Sequence, residues 1–170
     1  GGVPGDHDLP RRVEVRGADD RAALVGGLRA EPLEERRVDA HDGAHRPIAR
    51  RHRLLHRLAT AVMQGECIGI FGDYDVDGAT SSALLNNFLT AVGASVRVHI
   101  PDRMTEGYGP NAPALLALQQ AGVTVVVTVD CGITAFAPLA TAMQAGLDMI
   151  VVDHHEAEPD LPAALAIVNP

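Results

Sequence analysis

The 170-residue chain contains no tryptophan, few other aromatic residues and only two cysteines, Cys67 and Cys131. Two cysteines cannot build a disulfide framework, so the sequence favours a reducing, cytoplasmic setting. Cys131 follows an aspartate, which leaves two interpretations: a nucleophile or, as we favour, a small side chain that fills a turn. The sequence has no run of about 18 apolar residues and no charged-then-apolar opening segment, so it predicts neither a membrane span nor a secretory signal.

Lysine is also absent, and all 14 basic residues are arginines. Twelve of them lie in residues 1–60, whereas residues 61–170 hold 2 arginines and 12 acidic residues, a formal balance of −10. Such an acidic segment should repel nucleic acid, unless bound cations offset its carboxylates or further parts of a longer protein supply positive charge.

Residues 1–45 contain no aromatic residue and show little periodicity, which predicts a poorly ordered or irregular leader before a folded domain over residues 46–170. The pairs His41 and His45, and His52 and His56, have the i,i+4 spacing that can hold a metal on a helix. No carboxylate or cysteine pattern completes either pair, so surface histidines are the favoured interpretation.

A helix is predicted over residues 47–64, because Leu55, Leu58 and Val62 share one face and Gly65 suits its end. Its opposite face is predicted to be solvated, with a phosphate-binding stripe as the alternative. That face carries Arg50, Arg51, Arg53 and Arg57.

Strands and helices then alternate along the chain. Strands are predicted at residues 68–71, 96–100, 123–129, 149–152 and 165–168, and helices at 79–92, 111–120 and 137–145. The helix over 79–92 is expected to bury Leu84, Leu85, Phe88, Leu89 and Val92. This alternation predicts an α/β fold with a mostly parallel sheet, flanking helices and right-handed crossovers.

Three carboxylates, Asp73, Asp75 and Asp77, alternate directly after the first predicted strand. If the backbone stays extended, they point to the same side and repel one another, which calls for a cation such as Mg²⁺ or Mn²⁺. The alternative interpretation is an acidic turn that caps the next helix.

Polar residues follow two further strands at their carboxyl ends. Asp130 follows residues 123–129, and Asp153, His154 and His155 follow residues 149–152. Because these strand ends meet at one edge of a parallel sheet, we expect the side chains to gather there. Carboxylates with neutral imidazole suit Mn²⁺ or Mg²⁺, and two ions sharing a bridging aspartate would make a phosphoester-cleaving site.

Four motifs carry a family resemblance: Gly-Asp-Tyr-Asp-Val-Asp-Gly-Ala-Thr-Ser at 72–81, Glu-Gly-Tyr-Gly at 106–109, Val-Asp-Cys-Gly-Ile at 129–133 and Asp-His-His at 153–155. In this order and spacing they resemble the DHH phosphoesterase superfamily, and within it the RecJ-type exonucleases that act on single-stranded DNA. The resemblance covers about residues 65–170.

That resemblance implies 5′→3′ hydrolysis of single-stranded DNA in repair and recombination, with two Mn²⁺ or Mg²⁺ ions. It also implies a single-strand-binding protein and a helicase as candidate partners. Residues 46–170 would be the N-terminal part of a truncated DHH-type domain. The downstream part, with a further metal-binding aspartate, and a second domain would be missing, so we expect the piece alone to be weak or inactive.

By resemblance, the metal ligands are Asp75, Asp77, the bridging Asp130 and His154. His155 would face the scissile phosphate.

Asp153 would orient the histidines, and Asp73 would bind through water or support the site.

Arg103 would clamp a phosphate, unless it is a plain surface arginine. It precedes the Glu106–Gly109 turn, which the resemblance places near the substrate. Within this turn, Tyr108 would stack on a base or pack against the loop, and Gly109 would line the substrate site.

Two alternatives stay open: a DHH phosphoesterase for short oligonucleotides or dinucleotides, and a non-catalytic replication scaffold. The small-substrate members tend to carry a histidine where Phe71 stands here, four residues before Asp75, which favours the exonuclease. Scaffold relatives usually lose their metal ligands, whereas all of those named above are present.

Overall fold

The computed structural model describes residues 46–170, with side chains from Arg51 onward. The predicted leader over residues 1–45 and the pair His41 and His45 therefore lie outside the described residues. Within residues 46–170, no helix is both long enough and apolar enough to cross a lipid bilayer.

Strands and helices alternate as the sequence predicts. The helices are α1 (Arg46–Gln64), α2 (Val76–Ala91), α3 (Ala112–Gln120) and α4 (Phe136–Gln144). The strands are β1 (Cys67–Gly72), β2 (Ser95–His99), β3 (Val123–Val129), β4 (Asp148–Val152) and β5 (Ala166–Val168). They form one sheet in the order β2-β1-β3-β4-β5, in which every pair is parallel. The predicted α/β class with a parallel sheet is confirmed.

Strands β1, β3 and β4 are buried on both faces, whereas the edge strand β2 is largely exposed. One apolar layer includes Ala61 of α1 and Leu89 of α2 together with Ile68, Ile70, Val125, Val127 and Ile150 of the strands. The opposite layer includes Leu115 of α3 and Leu139 of α4 together with Phe71, Val126 and Met149. Since alternate residues of a strand face opposite layers, the central strands must be apolar at nearly every position. This requirement explains the unbroken apolar runs in the sequence.

The order of the strands reverses between β1 and β3. From β1 the chain moves outward to the edge strand β2, and it then returns to β3 and continues the other way to β4 and β5. In open α/β sheets, the crevice outside the carboxyl ends of the strands at such a reversal is the usual place for a ligand. The carboxylates of the predicted site follow these two strands.

Helix α2 begins earlier than the sequence suggested. It starts at Val76 rather than residue 79, and the Asp75 carboxylate caps it by accepting a hydrogen bond of 3.0 Å from the Gly78 N–H. Asp75 itself is extended, but the expectation of an extended backbone through Asp77 was wrong, because an aspartate that caps a free N–H starts the helix directly after it. Asp77 lies in the first turn, where the helix dipole favours a carboxylate.

The buried stripe of α2 also differs from the prediction. Leu84 and Phe88 are 74% and 63% exposed, and Val92, just past the helix end, is exposed too, so the expectation that they point inward was wrong. The buried residues are Gly78, Ser82 and Leu89. Small residues let α2 approach the end of β1 closely, and beside the edge strand β2 the sheet covers only a narrow stripe of the helix.

Helix α1 has a similar correction. Leu58 and Val62 pack against the core as predicted, but Leu55 is 63% exposed. Arg57, predicted to be solvated, instead lies in an ion-pair network that joins α1 to the amino ends of two strands. Its guanidinium donates to Glu66 at 2.6 and 3.1 Å and to Asp148 at 2.6 Å, with all three side chains less than a fifth exposed.

We predict that Arg57→Met lowers the melting temperature by roughly 4–8 °C. Removing the guanidinium leaves two largely covered carboxylates without their arginine partner, a loss of about 2 kcal/mol, between the values for exposed and buried pairs. Thermal unfolding followed by circular dichroism measures the change. Arg53→Met, at an exposed position of the same helix, is the matched control and should shift the midpoint little; equal shifts would contradict the prediction.

Candidate metal centre

Asp73 is the first carboxylate after β1. It is only 2% exposed, and its Oδ1 is buried with no hydrogen-bond partner among the described residues. Helix α2 passes against its backbone: a Cβ built on Gly78 would lie 2.4 Å from the Asp73 carbonyl oxygen. Glycine is therefore required at position 78, because any side chain there would push the helix away from the carboxylate loop.

Asp130 follows β3 in a left-handed conformation, with φ of 62°. Strained conformations of this kind concentrate at functional sites, and aspartate tolerates them better than most residues. The Asp130 N–H donates to the Val152 carbonyl at 2.9 Å, and its Oδ1 lies 3.0 Å from His154 Nε2. Its Oδ2 is buried without a hydrogen-bond partner in the described part of the chain.

Asp153 differs from Asp130 because its oxygens are fully used. Oδ2 accepts from the Ile133 N–H at 3.0 Å, and Oδ1 accepts from the N–H groups of His154 and His155 at 2.7 and 3.1 Å and from His155 Nδ1 at 2.7 Å. Burial raises the pKa of Asp153, but these hydrogen bonds outweigh it and the net pKa is lowered. This arrangement fits the orienting role that the resemblance implies.

The same contacts define the state of His155. A carboxylate only accepts, so Nδ1 of His155 donates, and Nε2 is the nitrogen left for a metal or a substrate. The hydrogen bond to Asp153 is the main cause that raises the pKa of His155.

Five of these side chains form two potential ion sites. Asp73, Asp75 and Asp130 make one group and Asp130, His154 and His155 the other, with the donor atoms of each group within 4.8 Å of one another. Asp130 belongs to both, as a bridging ligand must. The buried oxygens of Asp73 and Asp130 accept no hydrogen bond from the described residues, and together with the other carboxylate and imidazole donors they fit a pair of Mn²⁺ or Mg²⁺ ions.

The pKa values of two carboxylates in the first group are shifted in opposite directions. Burial and then the neighbouring Asp75 raise the pKa of Asp130. The Gly78 N–H lowers the pKa of Asp75.

Asp77, predicted as a ligand, is exposed in the first turn of α2 and is in neither group.

The predicted substrate residues lie beside the centre. Tyr108 makes edge contacts with the rings of Tyr74 and His155, with centroids 6.4 and 6.2 Å apart. Arg103 lies over the Tyr74 ring at 5.2 Å. Burial, followed by the charge of Asp73, raises the pKa of Tyr108 to about 12.

Sequence reasoning missed Tyr74 as a member of this group. The only signal for it was its position between two carboxylates, which is too weak to predict a contact with another loop.

Gly109 and Cys131 are both buried and lie close to each other. Gly109 has φ of 71°, and a Cβ there would lie 3.9 Å from Cys131. Cys131 is fully buried in the core, and burial raises the pKa of its thiol. These features support the interpretation of Cys131 as a packing residue, since a nucleophilic cysteine needs an accessible thiolate.

Comparison with known proteins agrees with this geometry. The profile of the DHH family, N-terminal domain, matches residues 67–170. The chain is 45% identical over 114 residues to the single-stranded-DNA-specific exonuclease RecJ of Bacillus subtilis, covering 67% of this chain and 14% of that protein. It is 40% identical over 110 residues to the RecJ of Thermus thermophilus, covering 65% and 16%.

A solved structure shows the same similarity. The crystal structure of an exonuclease RecJ bound to manganese superposes with a TM-score of 0.63 at 39% identity, covering 71% of this chain and 30% of that one. The chain thus spans less than a third of the length of the relatives it matches. Because the family profile covers most of the chain and agrees with its motifs and fold, the chain belongs to the DHH family and contains that family's N-terminal domain.

Proposed function

We propose that this chain is the N-terminal part of a RecJ-type enzyme that hydrolyses single-stranded DNA from its 5′ end with two Mn²⁺ or Mg²⁺ ions. The observation that carries the proposal is the position of Asp130, which contributes to both donor groups. The similarity to RecJ proteins, one of them solved with manganese, supports the choice of substrate and metal. A role in DNA repair and recombination in the cytoplasm, with a single-strand-binding protein and a helicase as partners, belongs to the same proposal.

The proposed metal ligands are Asp75, Asp130 and His154, which lie in the two donor groups, together with Asp77, which lies outside both groups and is proposed from the family resemblance alone. Divalent ions at such a site activate water and neutralise the leaving oxygen. Asp73, a buried member of the first donor group, is proposed to bind an ion through water or to support the other ligands. Asp153 holds His155 by hydrogen bonds at both the backbone and the ring, so that Nε2 of His155 faces the phosphate.

Arg103, Tyr108 and Gly109 are the proposed substrate contacts. Arg103 is exposed and lies over the Tyr74 ring, where its guanidinium can donate to a phosphate. Tyr108 is 54% exposed and presents a ring on which a base can stack. Bound cations would also offset the negative balance of residues 61–170, which otherwise opposes DNA binding.

We predict that Mn²⁺ at about 100 times its dissociation constant raises the melting temperature of the chain by roughly 5–10 °C. Binding to the folded state alone adds about 2.7 kcal/mol at that concentration. Asp130→Asn should lose most of this rise. Without metal, this variant should melt a few degrees higher than the parent, because it removes a carboxylate from a crowded acidic group.

Asparagine is chosen because it tolerates the left-handed conformation of residue 130. Asp160→Asn, at an exposed position, is the control and should keep the full Mn²⁺ effect. An unchanged Mn²⁺ response in Asp130→Asn would refute the shared-ligand assignment.

We also predict the activity of the protein encoded by the complete gene that contains this chain. With Mn²⁺ it should release labelled mononucleotides from 5′-labelled single-stranded DNA, leave duplex DNA intact and stop when chelator is added. Asp130→Asn should reduce the rate at least about 10³-fold, because one residue serves both ions. The isolated 170-residue chain should be weak or inactive.

Other outcomes would select the alternatives. Turnover of dinucleotides or short oligonucleotides without cleavage of long DNA would assign the protein to the small-substrate phosphoesterases. Absence of hydrolysis on every substrate would support a binding or scaffold role.

A further inference from the structure

The loop between β2 and α3 carries the proposed substrate contacts but has little apolar packing of its own. Within residues 102–108, every residue except Glu106 is exposed, and Met104 is 90% exposed. Apart from the ring contacts of Arg103 and Tyr108, little packing holds the loop in place. Polar contacts must therefore contribute, because segments with few buried apolar contacts open locally at little cost.

The Asp102 carboxylate accepts from the N–H groups of Met104 and Thr105 at 2.7 and 3.3 Å within the loop, and the contacts that reach beyond the loop converge on the Glu106 carboxylate. Oε1 accepts from the Asp102 N–H at 3.0 Å, and Oε2 accepts from Asn111 Nδ2 at 3.3 Å and lies 2.9 Å from His99 Nε2. The Glu106 N–H in turn donates to the Asp102 carbonyl at 2.7 Å. One side chain thus joins the end of β2, the start of the loop and the residue that precedes α3.

The two side chains that Glu106 contacts outside the loop, those of His99 and Asn111, are themselves held by the core and by a helix end. The His99 ring packs on the Phe71 ring with centroids 4.9 Å apart, and Phe71 is buried two residues before Asp73. Asn111 caps α3 by accepting a hydrogen bond of 2.9 Å from the Ala114 N–H. The Glu106 carboxylate therefore links the loop to the strand that leads into the metal centre and to the start of a core helix.

We propose that Glu106 is a positioning residue that holds Arg103 and Tyr108 beside the metal centre, so that the loop is ordered before substrate binds. The hydrogen bond from the Asp102 N–H is the main cause that lowers the pKa of Glu106, which keeps it an acceptor matched to its donors at neutral pH. The ordering of the loop is independent of the chemistry. Its effect on DNA binding rests on the proposed function.

Tyrosine fluorescence can test the ordering without any substrate. The chain has no tryptophan and two tyrosines, Tyr74 and Tyr108. In a Tyr74→Phe background, all tyrosine fluorescence therefore comes from Tyr108. Quenching by acrylamide then reports how open the loop is. In that background, Glu106→Gln should raise the quenching constant. The rise is limited to about two-fold, because the Tyr108 side chain is already 54% exposed and can at most become fully exposed.

Asn111→Ser provides a second variant that leaves the fold intact. Serine retains the helix cap but removes the Nδ2 donor to Glu106, so quenching should rise in the same direction by a smaller amount. Glu158→Gln, at an exposed position after β4, is the charge-matched control and should leave quenching unchanged. The Mn²⁺-induced rise in melting temperature should persist in Glu106→Gln, because Glu106 is not a metal ligand.

The second measurement is the affinity for a 5′-phosphorylated, phosphorothioate-linked oligothymidylate in Mn²⁺, followed by anisotropy of a 3′ label. We expect Glu106→Gln to weaken binding about five-fold, as for the loss of one ordinary hydrogen bond. Unchanged quenching in Glu106→Gln would overturn the positioning role. Raised quenching with unchanged affinity would overturn its importance for substrate. If the parent chain fails to bind the oligonucleotide, the proposed function loses support while the quenching result still decides the ordering of the loop.

Discussion

The mutual repulsion of carboxylates at the boundary between β1 and β3 is the constraint on which the site depends. Asp73, Asp75 and Asp130 bring their oxygens within 4.8 Å of one another, and two of the three side chains are almost fully buried. Buried charges at this separation are costly unless a cation or a proton compensates them. Asp73 and Asp130 follow directly on strands of the apolar core, so their buried carboxylates are held in place by the packing of the sheet.

The structure divides its aspartates into two kinds. Asp153 has its oxygens occupied by N–H groups of the protein, so it can fix the histidines but has little capacity left for an ion. Asp73 and Asp130 each keep a buried oxygen without a hydrogen bond in the described part of the chain. This difference in hydrogen bonding, rather than residue type, distinguishes Asp153, which orients the histidines, from Asp73 and Asp130, which keep an oxygen available for an ion. The ends of β3 and β4 look alike in the sequence, since each is followed by an aspartate, but they differ in this hydrogen bonding.

The candidate metal centre and the proposed substrate loop differ in what holds them in place. The metal centre is set by strands and by the start of α2, all of which are anchored in the core. The substrate loop depends instead on polar contacts around Glu106 and on ring contacts among Tyr74, Tyr108 and His155. Such a loop can be reshaped by one substitution without disturbing the sheet, whereas the centre cannot.

Much of the molecule could be predicted from local sequence patterns. The continuous β-branched run of β3 required a strand buried on both faces, and the alternation of elements required a parallel sheet. Position at strand ends was enough to single out Asp130, Asp153 and His154. Amphipathic patterns were less reliable on α2, where Leu84 and Phe88 proved to be exposed, because an apolar helical face does not reveal how much of it the sheet can cover.

The sequence by itself determined the secondary structure, the class of fold and the donor chemistry, since these depend on residue type and local spacing. Only the tertiary structure decided which donors meet. Asp130 joins Asp73 and Asp75 on one side and the histidines on the other because β3 lies between β1 and β4. Neighbouring strands are set by packing between segments far apart in the chain, and no local pattern encodes that packing.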